Sequence, residues 1–152
     1  MKVNMGYSYD FFVAKMKCFN CECISPDDES TNMQTYIRDV PNLENLRVGS
    51  LIGQHFNEAD GYLKISQPHE KIVLLDTWNC TYCGYRNWAR IVVVSDEIKS
   101  IESIELGLNE YRTANYISQE VSNDAAYLSG YDYETVEKNG VLKVLAQYLE
   151  KA

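Results

Sequence analysis

Histidine, the commonest metal ligand and acid–base residue of proteins, is nearly absent from this chain, which has only His55 and His69 in 152 residues. Neither has a companion motif, because the segment from His55 to Glu58 has a metal-like spacing without a second half. Both are expected on the surface or in loops. The segment from Gly49 to Gly53 does not match the Gly-x-Ser-x-Gly of a nucleophile elbow, and no phosphate-binding glycine loop is present. The sequence therefore predicts a protein that is not an enzyme.

Long apolar runs are also missing. No stretch approaches the roughly 18 apolar residues of a membrane span, and the first seven residues lack the apolar core of a signal peptide. There are no repeats, low-complexity tracts or long linkers. With 45% hydrophobic residues, a chain of this length can bury one core. We expect a single domain, residues 1–152, in the cytoplasm, where an odd number of cysteines fits a reducing environment.

Cysteine, by contrast, occurs in two Cys-x-x-Cys pairs, Cys18 with Cys21 and Cys80 with Cys83. A two-residue gap lets the chain turn back, so that both sulfurs face one point about 2.3 Å away, the zinc–thiolate distance. Gly84 follows the second pair, where such a turn often needs a positive φ. The four cysteines together predict one structural Zn²⁺ per chain.

The first pair is expected to be less regular. Glu22 stands where the second pair has glycine, and Cys23 follows it and offers another ligand. We assign Cys18 and Cys21 to the metal and leave Cys23 free. Residues 22–79 separate the two pairs, and the site can close if the segments after them are neighbouring strands of one sheet.

Other uses of these thiols stay open. A redox or disulfide pair is one, although a thioredoxin-like motif would continue into a helix, whereas the segment from Asn87 to Val94 favours a strand. Unligated core thiols are another. Catalytic zinc is disfavoured, because four thiolates leave no open position for substrate.

The acidic residues are concentrated outside the cysteine segments. Residues 25–70 contain eight acids against three bases, and residues 101–152 nine against four, in a chain of net charge −8. A zinc ribbon that binds nucleic acid would surround its two Cys-x-x-Cys turns, or knuckles, with lysine and arginine. Nucleic acid is therefore not the expected partner. The alternative is a nucleic-acid- or ribosome-associated zinc ribbon, for which a local basic face is available: Lys15, Lys17, Arg86 and Arg90.

The periodicity of the chain predicts an α+β fold. Residues 1–106 read as an antiparallel β-rich core with period-two alternation, and residues 107–152 as a helical part. A first helix is expected over residues 109–129, ending at Gly130. A second helix begins at Asp132 as N-cap, and Gly140 interrupts it.

Twelve tyrosines against four phenylalanines suit a surface that is soluble when free and buried when bound. The turn between the two predicted helices combines tyrosine with acid. We expect this turn to bind a basic protein partner, through Tyr131, Asp132, Tyr133 and Glu134. The alternative is that these tyrosines cap the core between the helices.

The string Cys18-x-x-Cys21, then residues 30–36, then the segment from Trp78 to Gly84 followed by Asn87-Trp88-Ala89 resembles small bacterial zinc-ribbon proteins, over about residues 8–106. In its general character, as an acidic single-domain protein of this size, the chain resembles the immunity proteins encoded beside bacterial polymorphic toxins. These resemblances imply a zinc-bound, non-catalytic inhibitor, which would occlude the active cleft of a cognate toxin domain.

Overall fold

The computed structural model describes residues 9–28, 31, 33–38, 42–52 and 61–151. Within these ranges the protein is α+β, with two sheets and four helices. The strands are β1 (Asp10–Phe12), β2 (Met33–Thr35), β3 (Asn45–Leu46), β4 (Tyr62–Lys64), β5 (Ile72–Asn79), β6 (Arg86–Val94), β7 (Glu97–Ile104) and β8 (Tyr116–Ser118). The helices are α1 (Leu108–Arg112), α2 (Val121–Ser129), α3 (Tyr133–Asn139) and α4 (Val141–Lys151).

The two sheets are of mixed direction. The small sheet has the order β2-β1-β3 and the large sheet the order β4-β8-β5-β6-β7. Most neighbours pair antiparallel, as expected, but β1 runs parallel to β3 and β5 runs parallel to β8. The expectation of an antiparallel core is therefore wrong for these two pairs, because each joins strands separated by a long connection rather than by a hairpin.

Strand β5 separates two apolar cores. Its side chains alternate, so that Leu74 and Trp78 lie in a core shared with the small sheet. Val73 and Leu75 lie in a second core, shared with the helices. The described residues thus form three layers: small sheet, large sheet and helices. Both faces of the central strand are buried, and its first four residues accordingly form a continuous apolar run.

The predicted helix over residues 109–129 is wrong. Only α1 and α2 are helical, and β8 lies between them. All three residues of β8 are buried, because it is inserted between β4 and β5. The side chain of Asn115 fixes its start, where Oδ1 accepts a hydrogen bond from the amide of Val73 at 2.8 Å. Sheet pairing has overridden a helix-like spacing of apolar residues.

The remaining helix signals are confirmed. Gly130 is the C-cap of α2, with a φ of 78°. Asp132 is the N-cap of α3 and accepts a hydrogen bond from the amide of Thr135 at 2.7 Å. Gly140 separates α3 from α4. None of the helices in the described ranges has the length and apolar character needed to cross a bilayer.

Candidate metal centre

Four cysteine sulfurs converge where the small sheet meets one end of the large sheet. The Sγ atoms of Cys18, Cys21, Cys80 and Cys83 all lie within 4.8 Å of one another. Cys18 is 3.6 Å from Cys83, and Cys21 is 3.6 Å from Cys80. A disulfide requires about 2.05 Å, whereas the edge of a zinc–thiolate tetrahedron with bonds of about 2.3 Å is about 3.8 Å. The sulfurs therefore have the separation of ligands around a shared ion.

The second pair forms a tight turn at the tip of the β5–β6 hairpin. The amide of Gly84 donates to the carbonyl of Cys80 at 2.9 Å, and the amide of Cys80 donates to the carbonyl of Tyr85 at 3.0 Å. The amide of Tyr82 points at Cys80 Sγ, 3.4 Å away. Gly84 has a φ of 76°, as the sequence predicts. Hydrogen bonds therefore hold both the backbone of this turn and the Cys80 thiol.

The first pair forms a turn with the same three hydrogen bonds. The amide of Glu22 donates to the carbonyl of Cys18 at 3.0 Å, the amide of Cys18 donates to the carbonyl of Cys23 at 3.0 Å, and the amide of Asn20 lies 3.3 Å from Cys18 Sγ. Glu22 adopts a φ of 64°, the conformation that glycine has in the second turn. The expected irregularity of the first loop is therefore wrong, because its hydrogen bonds hold a non-glycine residue in the left-handed region.

The two turns do not belong to one sheet. The second belongs to the large sheet, whereas the first is closed by its own isolated bridge between Lys17 and Ile24, after the end of β1. The site thus closes in a way other than the one considered from the sequence, in which the segments after the two pairs are neighbouring strands of one sheet. Cys18 and Cys80 are both buried in the core between the sheets, so sheet-to-sheet packing brings the turns together.

Asn87, at the start of β6, joins the two turns and was missed by sequence reasoning as a site residue. Its Nδ2 donates to Cys18 Sγ at 3.4 Å and to the carbonyl of Tyr85 at 3.1 Å. Its Oδ1 accepts from the amide of Phe19 at 3.0 Å. Asn20 donates to Cys83 Sγ at 3.5 Å from the exposed side. The sequence contained a signal for both residues. Asn20 places an amide side chain inside the first turn, and Asn87 places another four residues after the last cysteine.

The thiols do not ionise alike without a cation. Burial raises the pKa of Cys18, but hydrogen bonds from Asn87 and from the amides of Cys21 and Asn20 outweigh it and lower the pKa to about 6. Hydrogen bonds from Asn20 and the amide of Tyr85 also lower the pKa of Cys83.

Cys21 behaves in the opposite way. A backbone hydrogen bond at Cys23 lowers its pKa, but desolvation and the neighbouring thiols, Cys80 first among them, outweigh it and raise the pKa to about 12. Four sulfurs this close cannot all carry charge by themselves, since each added thiolate repels the others. A bound cation removes that conflict and favours all four thiolates.

Of the other candidate ligands, Cys23 and His69 lie outside this cluster. Cys23 is exposed and is not among the four converging sulfurs. His69 is exposed and belongs to no metal-binding group among the residues described. His55 lies outside the described residues.

The predicted partner-binding residues lie at the α2–α3 turn. Tyr131 and Tyr133 are 49% and 50% exposed, and Glu134 is exposed as well. Asp132 is also exposed, and its capping bond from Thr135 lowers its pKa. These side chains therefore lie on the surface.

A groove of about 480 Å³ connects the metal cluster to the helices. It is lined by Phe19 from the first turn, Tyr85 after the second and Tyr127 of α2, which is 87% exposed. Glu105 and Asp124 supply carboxylates. A smaller cavity beside it is lined by Leu128, Tyr131 and Tyr148, the first and last of which also line the groove.

Comparisons with known proteins identified no relative of this chain. No protein-family model, curated protein or solved structure matches this chain.

Proposed function

We propose that this protein is a zinc-stabilised, non-catalytic inhibitor that binds a basic toxin domain in the bacterial cytoplasm. The observation that carries the proposal is the groove beside the four sulfurs, which is lined by exposed aromatic side chains and by the carboxylates of Glu105 and Asp124, the latter already bound to Arg86. Large aromatic side chains are the usual anchors of protein interfaces, and surface charge speeds encounter. A net charge of −8 favours a partner of opposite sign.

Zinc is the ion that the cluster favours. Thiolates are soft ligands that select zinc, copper(I) or iron–sulfur centres, and a tetrahedral four-sulfur shell is typical of structural zinc. Two turns with matching hydrogen bonds and converging sulfurs support a zinc-ribbon type of site. A closed shell leaves no position for water or substrate, so the metal's role is to hold Phe19 and Tyr85 in the lining of the groove.

The nucleic-acid alternative is less well supported. Of the four bases flanking the knuckles, Arg86 is held by Asp124 through two bonds of 2.7 and 2.8 Å. Arg90 lies 3.9 Å from Glu102, and Lys17 lies 3.5 Å from Glu22. Bases already paired with carboxylates neutralise few phosphates.

Co-expression with the toxin domain encoded beside this gene tests the proposal. The protein should restore growth and co-purify with the toxin. Tyr127→Ala and Tyr131→Ala should speed dissociation, whereas Tyr82→Ala is the matched control, because Tyr82 is 65% exposed but lies outside the groove.

The charges of the α2–α3 turn need variants that preserve the helix cap. Asp132→Asn retains capping ability while removing the charge, and Glu134→Gln is its isosteric companion. Both should slow association and leave dissociation nearly unchanged. If no adjacent toxin exists and no basic protein forms a defined complex, or if the protein retains RNA at about 0.15 M salt, the inhibitor proposal is wrong.

A further inference from the structure

A carboxyl group lies inside the interface between the two sheets. Asp76 occupies β5 between Leu74 and Trp78, on the face that forms the core with the small sheet, and is 5% exposed. Burying a carboxylate at such a position costs free energy that an apolar side chain would not cost, because burial removes its hydration. Buried titratable groups that line a cavity are frequent at functional sites.

Asp76 is held in place but not saturated. The Tyr62 hydroxyl donates to its Oδ2 at 3.0 Å, and the amide of Thr77 donates to its Oδ1 at 2.8 Å. Thr35 Oγ1 lies 2.9 Å from the same tyrosine oxygen. A carboxylate accepts about four hydrogen bonds, so Asp76 retains capacity for a further donor. Burial raises its pKa to about 7.

Two adjoining cavities of about 190 and 180 Å³ meet at this carboxyl, and both are lined by Gln34, Asp76, Ser118 and Glu120. The larger one is also lined by Thr31 and Trp78, whose side chains are 1% and 2% exposed. Thr31 Oγ1 and Trp78 Nε1 are buried without a hydrogen-bond partner. Buried polar atoms of native proteins almost always have partners, so these two indicate a missing one.

The charges of the cleft specify the sign of the missing group. Asp76 and Glu120 both line it, together with the single cation Arg86. Asp124 binds that guanidinium through two bonds of 2.7 and 2.8 Å, so the ion pair of Arg86 Nη2 with Glu120, at 3.8 Å, is the weaker of the two. The cleft therefore has an excess of negative charge next to an unused N–H donor.

We propose that this cleft binds a small primary amine that also carries a hydrogen-bond acceptor. The ammonium group lies between Asp76 and Glu120, and the acceptor receives the indole N–H of Trp78. Thr31 Oγ1 completes the shell. The site faces the small sheet and shares a single lining residue, Arg86, with the partner-binding groove.

The indole N–H signals of the two tryptophans provide a direct test in the zinc-loaded, full-length protein. Ethanolamine is the probe, since it combines an ammonium group with a hydroxyl. It should shift the Trp78 signal with half-saturation at ~1 mM, which is weaker than the best affinity that four non-hydrogen atoms allow. Trp88 belongs to the other core, and its signal should not move.

Two matched compounds separate the contributions of charge and N–H donors. Ethylene glycol lacks the charge, and choline keeps the charge but has no N–H, so both should bind at least tenfold more weakly. If the Trp78 signal stays unchanged at about 20 mM ethanolamine, the cleft holds only ordered water and the proposal is overturned. Equal binding of all three compounds would also overturn it.

Substitutions of the two cleft carboxylates test where the ammonium group binds. Glu120→Gln leaves α2 intact, since Glu120 makes no side-chain cap, and should weaken ethanolamine binding about threefold or more, because one of two facing charges is lost. Asp76→Asn should weaken binding at least tenfold. Glu102→Gln, an exposed change on β7, is the control. If neither cleft variant changes the half-saturation concentration, the amine binds elsewhere and the assignment fails.

Discussion

Two substitutions of Asn87 separate the contribution of this residue to zinc affinity from its contribution to the stability of the fold. In Asn87→Ala the amide groups that bind Cys18 Sγ, the Phe19 amide and the Tyr85 carbonyl are all lost. Outer-shell partners of metal ligands are typically worth 10–100-fold in metal affinity, about 1.4–2.8 kcal/mol. Asn87→Asp is nearly isosteric and retains the oxygen that accepts from Phe19. A carboxylate about 3.4 Å from a thiolate, however, repels it by roughly 5 kcal/mol at an effective dielectric of 20.

Zinc affinity should therefore fall in the order wild type, Asn87→Ala, Asn87→Asp, and the last variant should lose at least about a hundredfold. Competition with a chromophoric chelator under reducing conditions measures this order. Denaturation of the zinc-loaded proteins gives stability separately. Asn20→Asp is the control, because Asn20 approaches Cys83 from the exposed side, where solvent screens the added charge. If Asn87→Asp binds zinc more tightly than Asn87→Ala, Asn87 acts through packing alone and the reasoning is refuted.

Protein purified without added metal should contain one zinc per chain by elemental analysis, and Cys80→Ser should lose it while Cys23→Ser retains it; zinc-free protein with a Cys80–Cys83 disulfide would contradict this. Gly84→Ala should cost about 1 kcal/mol of unfolding free energy, because a φ of 76° disfavours a Cβ although nothing lies within 4 Å of it. Glu22→Gly should cost nothing or stabilise the protein, and an equal loss for both variants would disprove the equivalence of the two turns. Burial raises the pKa of Asp76 to about 7 from 3.8, so the native state holds the proton more tightly and wild-type stability should fall relative to Asp76→Asn as pH rises from 5 to 7. A pH-independent difference in unfolding free energy between these two proteins would refute the raised pKa.

The local chemistry of the site was predictable from sequence. The four converging cysteines are the four assigned to the metal, and Gly84 has the expected positive φ, because both properties depend on a few consecutive residues. Glu22 was misleading because the absence of glycine at this position predicted an irregular turn. Glycine marks a left-handed position reliably, but its absence does not exclude one when hydrogen bonds to the turn compensate for the strain.

Features that depend on distant segments could not be predicted. β8 is buried on both faces, and a short strand of this kind has no alternation to distinguish it from part of a helix. The groove combines side chains from the first turn, β6 and α2, so no local pattern indicates it. The role of the α2–α3 turn in partner binding stays a prediction.

The position of β8 also constrains the order in which the protein forms during its synthesis. β4 and β5 occupy the same sheet but do not pair, since β8 lies between them. The edge of β5 therefore stays unpaired until Tyr116–Ser118 leaves the ribosome, even though the β5–β6 hairpin and its cysteine turn are already complete. An open edge on an apolar strand is a template for association with other chains. A nascent chain that stalls before residue 116 thus already contains all four cysteines of the metal site but keeps an unpaired edge on β5, and that hazard ends when β8 is inserted.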